Sequence, residues 1–142
     1  MPVERTLCIV KPDAVEKRKA GSILQRIEAS GFQVVALRMT RLTRQEAEGF
    51  YEIHRQRPFF GELVQFMTRS PVVIAVLERD NAVGAWRDLM GATDPAKAAA
   101  DTIRKQFGSN VGENATHGSD SLENAGREIG YFFSGAEVSP TK

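Results

Sequence analysis

A single cysteine, Cys8, rules out an intramolecular disulfide and any multi-cysteine metal site in these 142 residues, and it points to a reducing compartment. It stands in an apolar run beside Leu7, Ile9 and Val10, where it reads as a small buried hydrophobe. Histidine is nearly as scarce. Nothing near His54 offers a second metal ligand or a nucleophile's partner, so it is read as an ordinary core or surface residue of a helix. Charge of one sign is missing as well: 19 basic against 18 acidic residues leave +1, which argues against a general polyanion binder. Long hydrophobic runs are absent, since Val72 to Leu77 is far too short to span a bilayer, and the N-terminus lacks the apolar core of a signal peptide. A cytoplasmic location without membrane attachment is expected. There is no Gly-x-x-x-x-Gly-Lys-Ser/Thr loop, no Gly-x-Gly-x-x-Gly, no internal repeat and no low-complexity linker, so a P-loop or dinucleotide fold has no support. What remains is an ordinary globular composition, 42% hydrophobic and 26% charged, of a length that suits one domain over 1–142.

Patterning then divides the chain. Arg5 to Val10 reads as a strand covered on both faces, ending at Lys11-Pro12-Asp13. Ala20 to Ser30 sets Ile23, Leu24 and Ile27 on one helical face before Gly31, and Phe32 to Met39 reads as a second strand. Thr43 to Glu46 has capping-box spacing and opens a helix carrying Ala47, Phe50, Tyr51 and His54. Pro58 to Met67 reads as a helix with proline at its first position and Phe59 and Phe60 as core. Val72 to Leu77 is a third strand. The stripe Val83, Trp86, Leu89 and Met90 is stopped by Gly91 and leaves Arg87 off its centre. From Gly91 to Asn114 patterning is thin. A connection longer than about 12–15 residues is uncommon in a compact domain unless it is functional. Arg104 within it, together with Arg87, suits a phosphate-holding lid. Leu122, Ala125 and Ile129 mark the packed face of a last helix, in which Glu128 is either a solvated charge or an acceptor for an imidazole proton. Ser134 to Lys142 is a polar tail, expected to be poorly ordered or used in a subunit contact.

The densest chemistry lies in Asn114-Ala115-Thr116-His117-Gly118-Ser119-Asp120-Ser121. A neutral imidazole is a nucleophile near pH 7, the glycine beside it leaves backbone that a bulky substrate can approach, and the hydroxyls suit phosphate oxygens. Asp120 and Glu123 have capping-box spacing, so a helix N-terminus is expected next to the same anion. His117, Ser119 and Asp120 do not make a hydrolase triad, whose members converge from separate segments.

This octapeptide resembles the active-site signature of nucleoside diphosphate kinases, and Thr6 to Val15 is similar to that family's N-terminal signature. The resemblance runs from Thr6 to Phe133. It implies a ferredoxin-like α+β fold, a four-stranded antiparallel sheet covered by helices set on one side of it, with a helical pair inserted between strands 2 and 3. It also implies ping-pong transfer of a γ-phosphoryl group from a nucleoside triphosphate to a diphosphate through a phosphohistidine on His117. Lys11 and Arg104 would stabilise the developing oxyanions, and Arg87 and Thr93 the β-phosphate side. Tyr51 would orient the imidazole or a phosphate oxygen. Glu128 would accept the imidazole proton, Ser119 would act at the active site as one of the hydroxyls beside the histidine, and Asn114 would aid the ribose. Phe59 and Val111 would flank the base with little discrimination, because every base has a π face. Mg²⁺ would ride on the nucleotide phosphates without protein ligands, and the chain would form a homo-oligomer, a tetramer rather than a hexamer, with nucleic acid no main partner. One departure is Asp101, where the family usually has glycine, which sets a carboxylate near a phosphate-binding arginine.

Overall fold

Aliphatic and β-branched side chains crowd three runs, and each becomes a strand: β1 (Val3–Val10), β2 (Gln33–Thr40) and β3 (Val72–Asp80). The computed structural model describes residues 2–139. A fourth strand, β4 (Thr116–Gly118), has three residues and lies where the pattern suggests a loop. All pairings are antiparallel, in the order β2-β3-β1-β4, with a bulge in β2 between Val34 and Ala36.

Seven helices of the described residues surround the sheet. They are α1 (Pro12–Glu16), α2 (Ala20–Ala29), α3 (Arg44–Phe50), α4 (Phe60–Met67), α5 (Ala82–Met90), α6 (Ile103–Phe107) and α7 (Leu122–Phe132). Alternation along β1 sends Leu7 and Ile9 to one face and Cys8 and Val10 to the other, and both faces are buried. Leu7 and Ile9 pack with Phe50, Val64, Met67 and Phe132 from α3, α4 and α7. Cys8 and Val10 pack with Ile23, Ile27, Trp86, Met90 and Ile103 from α2, α5 and α6. Helices therefore stand on both sides of the sheet, not on one, because the inserted pair α3 and α4 with α7 covers the face that α2 and α5 leave bare. Each fully buried Leu or Ile in these layers contributes about 1.5–3 kcal/mol.

Local signals hold in part. Thr43 and Glu46 form the predicted reciprocal capping box of α3. Proline occupies the first position of α1, as Pro12, whereas α4 begins two residues after Pro58. The cap of α7 is Ser121, whose hydroxyl accepts from the Asn124 N–H at 3.0 Å; Asp120 instead accepts from the Asn124 side chain, so no Asp120–Glu123 box forms. The tail is ordered as far as it is described. Ser134 and Glu137 cap a short 3-10 turn, and the Ser139 N–H donates to Val35 O at 2.8 Å along the edge of β2. The expectation for 140–142 falls outside the described residues.

Candidate active site

The register of β4 decides where the imidazole goes. His117 pairs with Ile9, so its ring enters the face occupied by Leu7 and Ile9, where it meets Phe50 edge-on with ring centroids 5.3 Å apart. Gly118 must then face the other way. There a Cβ would come within 2.4 Å of Met90 Cε and 2.7 Å of Trp86 Cδ1, so the missing side chain makes room for Trp86 and not for a substrate. The indole N–H of Trp86 donates to the carbonyl of His117 at 3.2 Å.

Before the strand, the chain makes a tight turn. Ala115 has φ 75°, and the Thr116 N–H reaches Asn114 O at 2.9 Å, closing a three-residue γ-turn. A left-handed non-glycine residue costs on the order of 1–3 kcal/mol and persists only when its surroundings hold it. Here β1 and α1 do so: the Lys11 N–H donates to Ala115 O at 2.8 Å, and the Ala115 N–H donates to Asp13 Oδ2 at 3.1 Å. Asp13, 1% exposed, plays a part that the sequence reading missed; its only signal was its place in the motif after Lys11. Asn114 is also engaged. Its Oδ1 accepts from Lys11 Nζ at 2.9 Å and its Nδ2 donates to Thr93 O at 3.0 Å, so the amide holds the lysine in place.

Glu128 resolves the choice between solvated charge and partner. The residues of α7 that turn inward are Ala125, Glu128 and Phe132, while Leu122 is 56% exposed, so the packed stripe includes the carboxylate. Glu128 Oε1 lies 2.9 Å from His117 Nε2 and accepts from Ser119 Oγ at 2.7 Å. Ser119, fully buried, also accepts from the Leu7 N–H at 3.3 Å, so its hydroxyl supports the carboxylate and does not face a phosphate. Thr116 is equally buried and Ser121 is a helix cap, which removes the other two predicted phosphate hydroxyls. Burial opposes ionisation of Glu128, but its bonds from His117 and Ser119 and the nearby Arg127 outweigh that and hold its carboxyl below the usual value.

Burial lowers the pKa of His117. Lys11 and Arg104 add to this, and Glu128 works against it. The ring is therefore neutral near pH 7, and with Nε2–H held by Glu128 the lone pair lies on Nδ1. Cations gather around it. Lys11 is lowered to about 8, first by burial and then by Arg104. Arg104 is lowered to about 10, by burial and by Arg87. Its guanidinium donates to Gly91 O at 3.1 Å and Thr116 O at 2.9 Å, while its buried Nε–H has no partner among the described residues. Asp101 does not oppose it: the side chain is exposed, and its backbone carbonyl accepts from Arg26 at 2.6 Å, which ties the start of α6 to α2.

Two cavities flank this centre. One of about 260 Å³ is lined by Tyr51, His54, Arg87, His117, Asp120 and Glu128. The buried Tyr51 hydroxyl there has no partner among the described residues, so it is not held to the imidazole. His54, half-buried at this border, stacks on Tyr51 and meets Phe59 at a tilt. The other cavity, about 550 Å³, has Lys11 at one end and runs between Phe59 and Val111. Both are exposed, 45% and 56%, which corrects the reading of Phe59 as core. Phe60 packs against the core, while Thr93 and Arg87 are exposed. Leu63 and Arg69, which no pattern marked, complete the wall of this cleft.

Comparison with known proteins agrees with this arrangement. The family model described as nucleoside diphosphate kinase matches residues 4–138. The nucleoside diphosphate kinase of Sorangium cellulosum is 60% identical over 99% of this chain and 98% of its own length, and that of Geotalea daltonii is 55% identical over 96% and 99%. A crystal structure of the Aquifex aeolicus nucleoside diphosphate kinase superposes with a TM-score of 0.94 at 52% identity, covering 96% of this chain and 99% of that one. The Halobacterium salinarum nucleoside diphosphate kinase, solved in complex with CDP, gives 0.94 at 38% identity over 99% and 94%. With a neutral histidine held by a buried carboxylate among lysine and arginine, and with likeness along nearly its whole length, the chain belongs to the nucleoside diphosphate kinase family.

Proposed function

We propose that His117 Nδ1 is the atom that carries the phosphoryl group in the family's ping-pong exchange between nucleoside tri- and diphosphates. The observation that carries this is the 2.9 Å contact between His117 Nε2 and Glu128, which fixes the tautomer and turns the free lone pair away from the carboxylate. Nδ1 attacks the γ-phosphorus; the N–P bond forms as the bond to the bridging oxygen breaks, and the nucleoside diphosphate leaves. The Nε2 proton stays on the ring, shared with Glu128, so no separate base is needed. A second diphosphate then takes the group by the same path reversed. Exchange between two nucleotides is nearly isoenergetic, and an N–P bond keeps the transfer potential that a serine phosphate would lose.

Lys11, held by Asn114, and the unpartnered Nε–H of Arg104 are donors for the oxygens of the transferred group, and the Tyr51 hydroxyl is another. Arg87 and Thr93, both exposed, take the β-phosphate side. Phe59 and Val111 sandwich the base, and the structure of the Halobacterium relative solved in complex with CDP supports a nucleotide as ligand. Among the described residues no group of three or more His, Cys, Asp or Glu converges on an ion, while cations and the Asp120 carboxylate border the small cavity. These residues fit Mg²⁺ carried on the nucleotide phosphates, where it would neutralise part of their charge.

We also propose one domain over 1–142 acting in the cytoplasm as a homo-oligomer, a tetramer in preference to a hexamer. Leu37 and Met39, 55% and 59% exposed on the edge strand β2, are apolar surface that a second copy would cover. No helix of the described residues is long and apolar enough to cross a membrane.

The test is to incubate the protein with Mg²⁺ and γ-labelled ATP without acceptor. Acid-labile, alkali-stable label on the protein, absent in His117→Ala and discharged by an added nucleoside diphosphate, is expected. Label that persists in His117→Ala, or that emerges only as free phosphate, overturns the assignment.

A further inference from the structure

The two walls of the larger cleft belong to separate parts of the chain. Phe66 belongs to α4 and Phe59 is the residue that caps its N-terminus, while Val111 sits in the turn 109–113 that precedes His117. That turn is built locally: Asn110 Oδ1 accepts from the N–H groups of Gly112 and Glu113, at 3.0 and 2.9 Å, and the Ser109 N–H donates to Glu113 O at 2.8 Å. Lys17, the C-cap of α1, ties the start of the turn to that helix by donating to Ser109 Oγ at 2.7 Å, and Arg69 joins its far end to the opposite wall. Arg69, just past the end of α4, lays its guanidinium 4.9 Å from the centre of the Phe66 ring. It donates bidentately to Glu16 of α1, Nε to Oε2 at 3.0 Å and Nη2 to Oε1 at 2.7 Å, and the same Nη2 reaches Glu113 Oε1 at 3.4 Å. The Ser70 hydroxyl donates to Glu16 Oε2 at 2.7 Å, fixing the carboxylate from the other side.

We infer that Arg69 is a positioning residue that sets the width of the nucleotide cleft, by fastening the turn that carries Val111 to the helix that carries Phe66 and is capped by Phe59. The inference rests on the reading of that cleft as the base slot. Arg69 touches no reacting atom in this account. Its effect is on preorganisation: with the fastener closed, the two walls already stand at the spacing a flat base needs, and binding does not have to restrain the turn. Glu16 is the anchor, because its two short bonds hold the guanidinium whether or not Glu113 is engaged. Glu113 is the latch, with the single longer bond.

Two consequences separate this from a merely structural ion pair. First, the effect falls on nucleotide binding and not on phosphoryl transfer, because His117, Glu128 and Lys11 are held by other contacts. Second, the Arg69, Glu16 and Glu113 side chains are 43%, 39% and 40% exposed, so the fastener is open to screening and salt weakens it in the native protein.

The experiment measures kcat and KM for ATP with a fixed diphosphate acceptor, at low and at high sodium chloride, for the full chain and for Arg69→Gln, Glu113→Gln and Phe59→Ala. A network of this exposure carries an effect of about two- to five-fold. KM is expected to rise by that factor in Arg69→Gln and Glu113→Gln at low salt, equally for adenine, guanine and pyrimidine nucleotides, with kcat little changed. At high salt the native KM should approach that of the variants, whose own salt dependence is flatter. Unchanged KM in both variants, or a fall in kcat at constant KM, overturns the fastener. Phe59→Ala keeps the two readings apart: if it leaves KM unaltered the base-slot assignment is wrong, whereas a raised KM there with native values in the Arg69 and Glu113 variants removes only the fastener. Thermal midpoints of all variants identify any loss due to unfolding.

Discussion

Replacing Glu128 tests the centre of the mechanism most directly. Its Oε1 accepts two bonds, from His117 Nε2 at 2.9 Å and from Ser119 Oγ at 2.7 Å. In Glu128→Gln an amide oxygen can sit in the same place and accept both, so the tautomer survives while the charge is lost. Hydrogen bonds to a charged group are worth about 1.5–3 kcal/mol and neutral ones about 0.5–1.5, so the difference is about 1–1.5 kcal/mol, or roughly a five- to tenfold slower phosphorylation. Glu128→Ala removes the acceptor altogether, leaves the buried Ser119 hydroxyl with no acceptor for its proton and frees the ring to rotate. A loss of roughly a hundredfold is expected, corresponding to about 3 kcal/mol. Rapid-quench measurement of phosphoenzyme formation in a single turnover isolates this step from product release. The pH profile adds a sign. Glu128 raises the pKa of His117, against burial and the nearby cations, so losing its charge lowers that pKa further and the acidic limb of the rate should move to lower pH in Glu128→Gln. Glu128→Ala phosphorylating within twofold of the native rate, or an acidic limb that moves upward in Glu128→Gln, would refute the role assigned to this carboxylate.

Two further expectations concern Lys11 and Gly118. The lysine pKa lies at about 8, because burial and Arg104 disfavour its charge, so kcat/KM should fall as pH rises through that value in the free enzyme. Lys11→Gln should be slow at all pH and lack that limb; a native profile flat to pH 10 contradicts the reading. Gly118→Ala forces a methyl against Met90 and Trp86, an overpacking that costs about 1–3 kcal/mol. A denaturant midpoint equal to the native one would show that the neighbours yield freely and that the glycine is not there for Trp86.

Much of this was legible where the pattern is local. Three strands, the capping box at Thr43 and the off-stripe position of Arg87 follow from periodicity and side-chain chemistry within a few residues. β4 could not be read that way. Three residues carry no period, and Thr116 to Gly118 is a strand only because β1 offers it a ladder more than a hundred residues away in the chain. The hydroxyls around His117 were misread for the same reason, since nothing local says that Ser119 is buried under α7 or that Thr116 faces Trp86's side of the sheet. On α7, Ala125 and Ile129 pack as their pattern suggests while Leu122 is exposed, and an apolar count skips the carboxylate that completes the face; Glu128 takes an inward position that its burial cost would forbid without His117 and Ser119. Arg104 was recognised by its charge, but not its burial or its bonds to two carbonyls, which depend on how α6 folds back across the sheet.

The position of β4 in the sheet has a consequence for how the protein is made. Synthesis delivers β1 and Lys11 first, yet the lysine's partner Asn114 lies 103 positions later, and the partner of the Leu7 N–H, Ser119, lies 112 later. Chains emerge at roughly 5–20 residues per second, so the early strand waits several seconds for the segment that completes it. During that interval the nascent polypeptide has no site in which to react with the triphosphates around it. A chain interrupted before α7 would lack the glutamate that orients its histidine, so cellular nucleotides meet a competent nucleophile only on molecules whose translation has passed Glu128.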